Sequence, residues 1–438
     1  MIDQPLLQID QLPVAPSLAA GHRPPHRPSA TAPFPPLSLD FAAGKFHVLT
    51  GPALPPLSHL LRLIAGFESL PPEAASQQRA PQIRLRGRQI QHLPLGERNI
   101  ASLSWEPRLF PHLTLGRNIV FPLIHQAVPG ARDLGGRDFG ARDLGDPATA
   151  AASAALRVGL SAPMLDLYPA GLPLVAQLRT ALARALALSP SLLLLTDPLL
   201  PLSGAEAAEL AQDLRRLQRS LSLTVLCATT RLPVWAPLAD EITVFDAPPA
   251  PFTAAEALGP VLQRGSAEDI YQRPAGLLAA RLGGGVNLLP VEILGRDNIG
   301  QESERLRLRC AIGEPREIVL PLRQVAPALL AAYRDAVAGM ESGTEGETTH
   351  RASLLLRPAA FRPGLGIRRQ DCRIDGRILD RFGDGAMLTL QIGVTTGDGT
   401  QAAPLTVTLP APAPFPLEPG MVLGFGWNLA DSHLLPAA

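Results

Sequence analysis

The sequence predicts an α/β domain with a parallel sheet over residues 1–255, a linker over 256–284, and a mostly β module over 285–438. Three observations predict it. LSLDFAAGKFHVLTG followed by HLLRLIAGF reads as strand, turn, strand and helix, the start of a βαβ design. SLLLLTD carries four consecutive leucines, Leu192 to Leu195, as a strand buried on both faces does in the middle of a parallel sheet. After about Pro260 the runs LLPVEIL, RLRLRCAI, REIVLPL, ASLLLRP, MLTLQIG, PLTVTLP and VLGFGW follow one another between Gly- and Pro-rich turns, the mark of a barrel or sandwich.

The elements follow in order. Residues 15–36, with GHRPPHRPSATAPFPP, form an irregular loop, and His22 and His26 within it are solvated. The turn at Ala43-Gly44 separates two strands, the second ending at Gly51. Leu60, Leu61, Ile64 and Ala65 have helical spacing, and Gly66 stops the helix. Residues 131–146, ARDLGGRDFGARDLGD, are a short polar, Gly-rich internal repeat that reads as a flexible insertion. Helical patterns run from Thr149 to Leu160, Ala176 to Leu188 and Ala205 to Ser220. Leu223 to Ala228 and Glu241 to Phe245 are strands separated by a short helix. Glu268 and Asp269 beside Tyr271 sit on a solvated helix face, and one helix, Ala326 to Val337, interrupts the β module.

Bulk composition narrows the function. The chain has 438 residues, too many for one compact core, and 46 % of them are hydrophobic. Its 39 basic and 39 acidic residues cancel, so no basic surplus points to nucleic acid or an anionic surface. Lys45 is the single lysine; every other basic residue is arginine, which cannot copy a compact ammonium in a tight phosphate cradle. Cys227, Cys310 and Cys372 are scattered, with no spacing for a disulfide framework or zinc. The opening MIDQPLLQID has no basic and apolar leader pattern. The most apolar stretch, Ala185 to Leu202, is broken by Pro190, Asp197, Pro198 and Pro201 and is too interrupted to span a bilayer.

The order of segments resembles the ATP-binding subunits of ABC importers that carry a C-terminal TOBE domain. FAAGKFHVLTGP with LLRLIAGFE is similar to that family's strand, P-loop and helix, and IRLRGRQIQHLPLGERNIASLSW to the antiparallel subdomain leading into its Q-loop. LFPHLTLGRNIVFPL resembles the entry to the helical subdomain, here about 107–185, and YPAGLPLVAQLRTALARALALSPSLLLLTDP resembles the signature helix running into Walker B. LADEITVF, LQRGSAEDIYQRP, GGGVNLL and LLLRP resemble the last sheet strand and the passage into TOBE. The resemblance implies a P-loop NTPase-like nucleotide-binding domain followed by a TOBE-like β domain.

The same resemblance assigns the chemistry, and there the sequence departs from it. A P-loop reads GxxxxGK[ST]: its glycines let N–H groups close on phosphate, its lysine neutralises them and its hydroxyl holds Mg²⁺. The matching octet is Gly51-Pro52-Ala53-Leu54-Pro55-Pro56-Leu57-Ser58. Gly51 and Ser58 remain; the second glycine is Pro56 and the lysine is Leu57. The Q-loop glutamine falls on Trp105, the signature LSGGQ on Leu172 to Ala176, the Walker B aspartate on Thr196, the D-loop aspartate on Ser203 and the switch histidine on Thr230. Asp197 stands where the catalytic glutamate belongs, one methylene shorter. Read without the family, Asp197 is a strand-end turn residue, Ser58 a helix N-cap and Gly51 a turn residue. Phosphoryl transfer depends on positioning and electrostatics, and losing one such donor costs roughly 10²–10³ in rate.

The expectation is therefore a non-catalytic subunit, without catalytic residues or metal, that binds ATP and Mg²⁺ only residually. By the resemblance it docks on a membrane permease through Leu109, Phe110, Pro111 and His112, and pairs with a second nucleotide-binding subunit as a homo- or heterodimer. It is then cytoplasmic and peripheral on the inner face of the cell membrane. Two alternatives stand beside it: a ligand-sensing or regulatory protein using the TOBE-like domain, which in related proteins takes small oxyanions or sugars, and a weakly active ATPase.

Overall fold

The computed structural model describes residues 5–12, 36–70, 80–124, 147–248, 257–297, 305–310, 312, 316–333, 350–364, 369–395, 399–413 and 416–437. The loop at 15–35 and the repeat at 131–146 lie outside the described residues, as do residues 334–337 of the helix expected in the β module. The chain divides into two compact units, Met1–Ala267 and Glu268–Ala438.

In the first unit β1 (Pro5–Leu12) and β2 (Leu37–Ala42) pair antiparallel, and β4 (Gln82–Leu85) and β5 (Arg88–Gln89) extend them into a four-stranded sheet ordered β2-β1-β4-β5. β3 (Phe46–Thr50) leaves this sheet at the Gly44 turn, where φ is +66°, and joins a second one. That sheet runs β10-β9-β3-β8-β7-β6, with β6 (Ile100–Ser104), β7 (Leu192–Thr196), β8 (Thr224–Thr229) and β9 (Glu241–Phe245) parallel to β3. β10 (Val261–Gly265) pairs antiparallel on its edge. Leu192 to Leu195 of β7 are all buried between β8 and β6, as the leucine run requires. The two strands read on either side of Ala43-Gly44 thus exist but serve different sheets.

α1 (Leu54–Ala65) buries Leu57, Leu60, Leu61 and Ile64 in the same core as Leu7, Ile9, Leu194 and Leu226. Gly66 ends it at φ +91°, its N–H donating to the Arg62 and Leu63 carbonyls at 2.9 and 3.2 Å. The buried Arg98 completes this end: its Nη1 donates to the Leu63 and Ile64 carbonyls, both at 2.9 Å, and Nη2 to Gln91 at 2.9 Å. A cation at a helix C-terminus meets the negative end of its dipole. α2 (Leu115–Ile124), α3 (Pro147–Arg157) and α4 (Leu174–Leu186) pack against one another as a helical layer. α5 (Gly204–Leu221) begins at Ser203, whose N–H and hydroxyl both donate to Glu206, at 3.2 and 2.7 Å. α6 (Leu232–Trp235) lies between β8 and β9.

The stretch 256–284, expected to be a linker with a helix face at Glu268 and Asp269, carries that helix as α7 (Ala267–Gln272) and also β10 at the sheet edge and α8 (Leu277–Leu282). The unit boundary falls inside it. Val261 and Gln263 face β9, so this segment is fixed by backbone pairing that its short, mixed sequence does not announce.

The second unit holds two antiparallel five-stranded sheets over one hydrophobic core. One runs β13 (Arg316–Pro321), β12 (Arg305–Cys310), β11 (Asn287–Asp297), β14 (His350–Leu356), β20 (Ser432–Pro436). The other runs β15 (Arg362–Pro363), β19 (Val422–Trp427), β16 (Cys372–Gly383), β17 (Met387–Gly393), β18 (Leu405–Pro410). Residues 327–333 are helical, in the place where a helix was expected. The buried Arg357, in LLLRP, binds α7 and α8 to β14 by donating to the carbonyls of Tyr271 at 2.6 Å and Ala280 at 2.8 Å.

Candidate functional site

The octet from Gly51 to Ser58 folds differently from an open phosphate loop. Only Gly51, Pro52 and Ala53 separate β3 from α1, and Ala53 takes the N-cap with φ −145° and ψ 145°. Pro55 and Pro56 sit in the first helical turn, where proline's fixed φ is preorganised. They also remove N–H groups from the end of the helix that an anion would approach. Leu57 is wholly buried in the hydrophobic core, and Pro56 is buried beside it in the helix. Gly51 is buried, and a Cβ there would lie 3.4 Å from Phe245, so close packing on β9 accounts for it. Ser58 is not the cap expected of it: the prolines start the helix earlier, which leaves Ser58 inside α1, half-buried. Lys45 is exposed at the opposite end of β3, roughly 17 Å along the strand.

A cavity of about 400 Å³ opens where β6 and β7 end. Ser104 and Thr196, the last residues of these strands, are register partners there. Ser58, Trp105 and Arg184 join them in the lining. The structure thus brings together Ser58, Trp105 and Thr196, three positions that the sequence resemblance assigns to one centre. Gly51, Leu57, Asp197 and Thr230 do not line the cavity.

Asp197 closes β7 with φ +37°, its N–H donating to the Ala228 carbonyl at 3.0 Å and its own carbonyl accepting from Leu200 at 3.0 Å. It is a turn residue, as read, and it is also fully buried. Its carboxylate accepts from Thr229 Oγ1 at 3.0 Å and Trp235 Nε1 at 3.2 Å, with Arg231 Nη2 at 3.5 Å. These contacts tie the end of β7 to β8 and α6. The neighbouring Cys227 thiol is pushed well up, first by burial and then by the Asp197 charge, and is therefore an inert core group.

The segment Leu109 to His112 forms a built loop at the entry to α2. Pro111 and His112 are exposed, while Leu109 and Phe110 are half-buried. Phe110 packs on Phe121 with ring centroids 4.4 Å apart and lies under the Arg184 guanidinium at 5.6 Å. Asn118, fully buried, organises the loop. Its Nδ2 reaches the carbonyls of Phe110, Leu113 and Thr114 at 3.1, 3.1 and 3.0 Å, and its Oδ1 accepts from the Phe110 N–H at 2.8 Å. Sequence reading missed Asn118; the only signal was a lone amide in the apolar run NIVFPL. Arg184 joins loop and cavity, Nη1 donating to the Arg108 carbonyl and Nη2 to the Pro107 carbonyl, each at 3.0 Å. Burial pulls its pKa below the ordinary arginine value.

No group of three or more His, Cys, Asp or Glu side chains among the described residues is arranged to hold a metal. No described helix is long and apolar enough to cross a membrane.

No protein-family model matches the chain. Curated relatives do. The sulfate/thiosulfate import ATP-binding protein CysA 2 of Chromobacterium violaceum is 31 % identical over 339 residues, 76 % of this chain and 82 % of that protein. The sulfate/thiosulfate import ATP-binding protein CysA of Thermosynechococcus vestitus is 31 % identical over 66 % of this chain and 74 % of its own. The spermidine/putrescine import ATP-binding protein PotA of Pseudomonas fluorescens is 30 % identical over 65 % and 68 %. Among solved structures, cbiO1 from Clostridium perfringens, part of the ABC transporter complex cbiONQ, aligns with a TM-score of 0.45 and 16 % identity over 62 % of this chain and 92 % of that one. On the length and identity of its match to CysA 2, this chain belongs to the family of ATP-binding subunits of ABC importers.

Proposed function

We propose that this chain is a non-catalytic subunit of an ABC importer, peripheral on the cytoplasmic face of the membrane. It docks on the permease through Leu109, Phe110, Pro111 and His112 and pairs with a second nucleotide-binding subunit. The observation that carries the reading is Leu57, which fills the P-loop lysine's position and is buried in the core. A side chain there cannot reach phosphate without leaving the core. The other residues agree with it: Thr196 offers no carboxylate for Mg²⁺, Asp197 is enclosed by Thr229, Trp235 and Arg231, and Pro55 and Pro56 remove donors from the helix start. The residues present do not fit Mg²⁺–ATP. The scaffold for docking is in better order, since Asn118 and Arg184 hold the backbone of 107–114 by five side-chain bonds to its carbonyls. The second unit is then the TOBE-like domain, serving assembly of the transporter.

The test has two parts. The purified chain should release no phosphate from Mg²⁺–ATP above a mock preparation, and should co-purify with its co-expressed permease. Pro111→Glu with His112→Glu should reduce that capture at least tenfold without changing the melting temperature, because both residues are exposed. Steady turnover by the pure chain, or capture indifferent to the double change, would contradict the reading.

A further inference from the structure

The cavity at the ends of β6 and β7 has a lining that matches a ligand other than a nucleotide. Its lining carries hydroxyls from Ser58, Ser102, Ser104 and Thr196 beside Leu61, Leu103 and Leu194, with Trp105 43 % exposed and Phe67 52 % exposed under the Arg62 guanidinium at 5.7 Å. Exposed aromatic faces on a concave surface are stacking platforms for planar groups. Arg62, Arg108 and Arg184 are the cations of the lining. Arg62 is neutralised by Glu68, and Arg108 by Glu106 at 3.2 Å. Arg184 has no carboxylate partner among the described residues; it donates only to the carbonyls of Pro107 and Arg108, and the rest of its N–H groups are unclaimed. Its depressed pKa follows from that burial without a counter-charge.

We propose that this cavity binds a small planar organic monoanion, an aromatic carboxylate in class, with the carboxylate on Arg184 and the ring against Trp105. A single uncompensated guanidinium suits one negative charge, and its planar fork suits a carboxylate. A triphosphate would instead set several charges against one free cation and Glu106, with Leu57 buried where a second cation would help. The inference rests on the reading that the site does not take Mg²⁺–ATP.

Tryptophan fluorescence of the full chain reports directly, because Trp105 is exposed while Trp235 and Trp427 are buried. Benzoate should change the emission saturably, with a dissociation constant below about 5 mM, and benzamide, of the same shape without charge, should bind at least tenfold more weakly. Arg184→Met should weaken benzoate at least tenfold. Because Arg184 also braces the loop at 107–108, Ser58→Leu provides a second variant: it fills the cavity from α1 and should abolish benzoate binding, read by calorimetry. Absence of saturation, equal binding of benzamide, or benzoate binding unaffected by Ser58→Leu overturns the proposal. Mg²⁺–ATP is titrated in parallel. If it saturates the signal, the non-nucleotide reading of the site falls as well; if benzoate alone fails, only this inference falls.

Discussion

Leu57 and Asp197 are both taken up by the packing around them. Leu57 faces the core cluster, so Leu57→Lys must either bury an ammonium or distort α1. Burying an unpaired charge is costly, and we expect the change to lower unfolding stability by about 3 kcal/mol or more while restoring no ATP hydrolysis. Urea unfolding and a phosphate-release assay check the two halves. Asp197→Ala strips partners from the buried Thr229 hydroxyl and Trp235 indole and leaves Arg231 without its carboxylate. It should cost about 3 kcal/mol, measured by the same unfolding experiment. Which residues stand at the positions the resemblance picks out is plain from the sequence, Leu57 among them. Their placement is not. Ser58 looks like a cap because it follows prolines, yet Pro55 and Pro56 start the helix earlier and place Ser58 in its interior.

Among the elements, those with strong periodicity were read correctly. α1 has its leucines at helical spacing, and β7 is a leucine run; burial dictates both patterns. β16 was missed although it is the longest strand of its sheet. Its alternation, Cys372 and Ile374 in with Arg373 and Asp375 out, is diluted by charge and by Gly376, whose position a Cβ would crowd to 3.4 Å from Ile392. β1 and β20 have partners well separated along the chain, so tertiary pairing defines them. The end of α1 gives an element-scale prediction. At Gly66 a Cβ would sit 2.5 Å from Arg98 Cζ in a left-handed backbone, so Gly66→Ala should destabilise the first unit by about 2 kcal/mol, seen as a lower urea midpoint. Asn118→Ala should cost a similar amount, about 2 kcal/mol, and should also loosen the exposed backbone of 110–114, measured as faster amide exchange there than at β7.

Among the described residues, His47 in the first unit and His433 in the second are buried, and both respond to acid in the same sense. Burial is the main cause that lowers His433, to about 4 from the ordinary histidine value of 6.5, with Arg273 and Arg357 adding to it against the Pro274 carbonyl at 3.1 Å. His47 is lowered by burial too, offset in part by the Ala42 carbonyl and by Glu241 at 3.1 Å. A folded state that resists protonation is favoured above the unfolded pKa and loses ground as pH falls through the window from 6.5 to 4. For His433 the loss amounts to about 3 kcal/mol once pH is below both values. Unfolding of wild type and His433→Gln at pH 7.5 and 4.5 should show the variant losing less on acidification. The two-part architecture was legible at this scale because the change from mixed α/β to Gly- and Pro-punctuated strands near Pro260 is a change in composition. The division between the units falls within 256–284, but the pairing of β10 with β9 was not legible, because backbone pairing alone recruits it to the first sheet.

Arg184 gives the first unit a further property. One guanidinium grips the carbonyls of Pro107 and Arg108, caps the face of Phe110 and lines the cavity. On the proposals made above, a partner seated on 109–112 and a guest in the cavity would share this one guanidinium, and any coupling between them is reciprocal, each changing the other's affinity by the same factor.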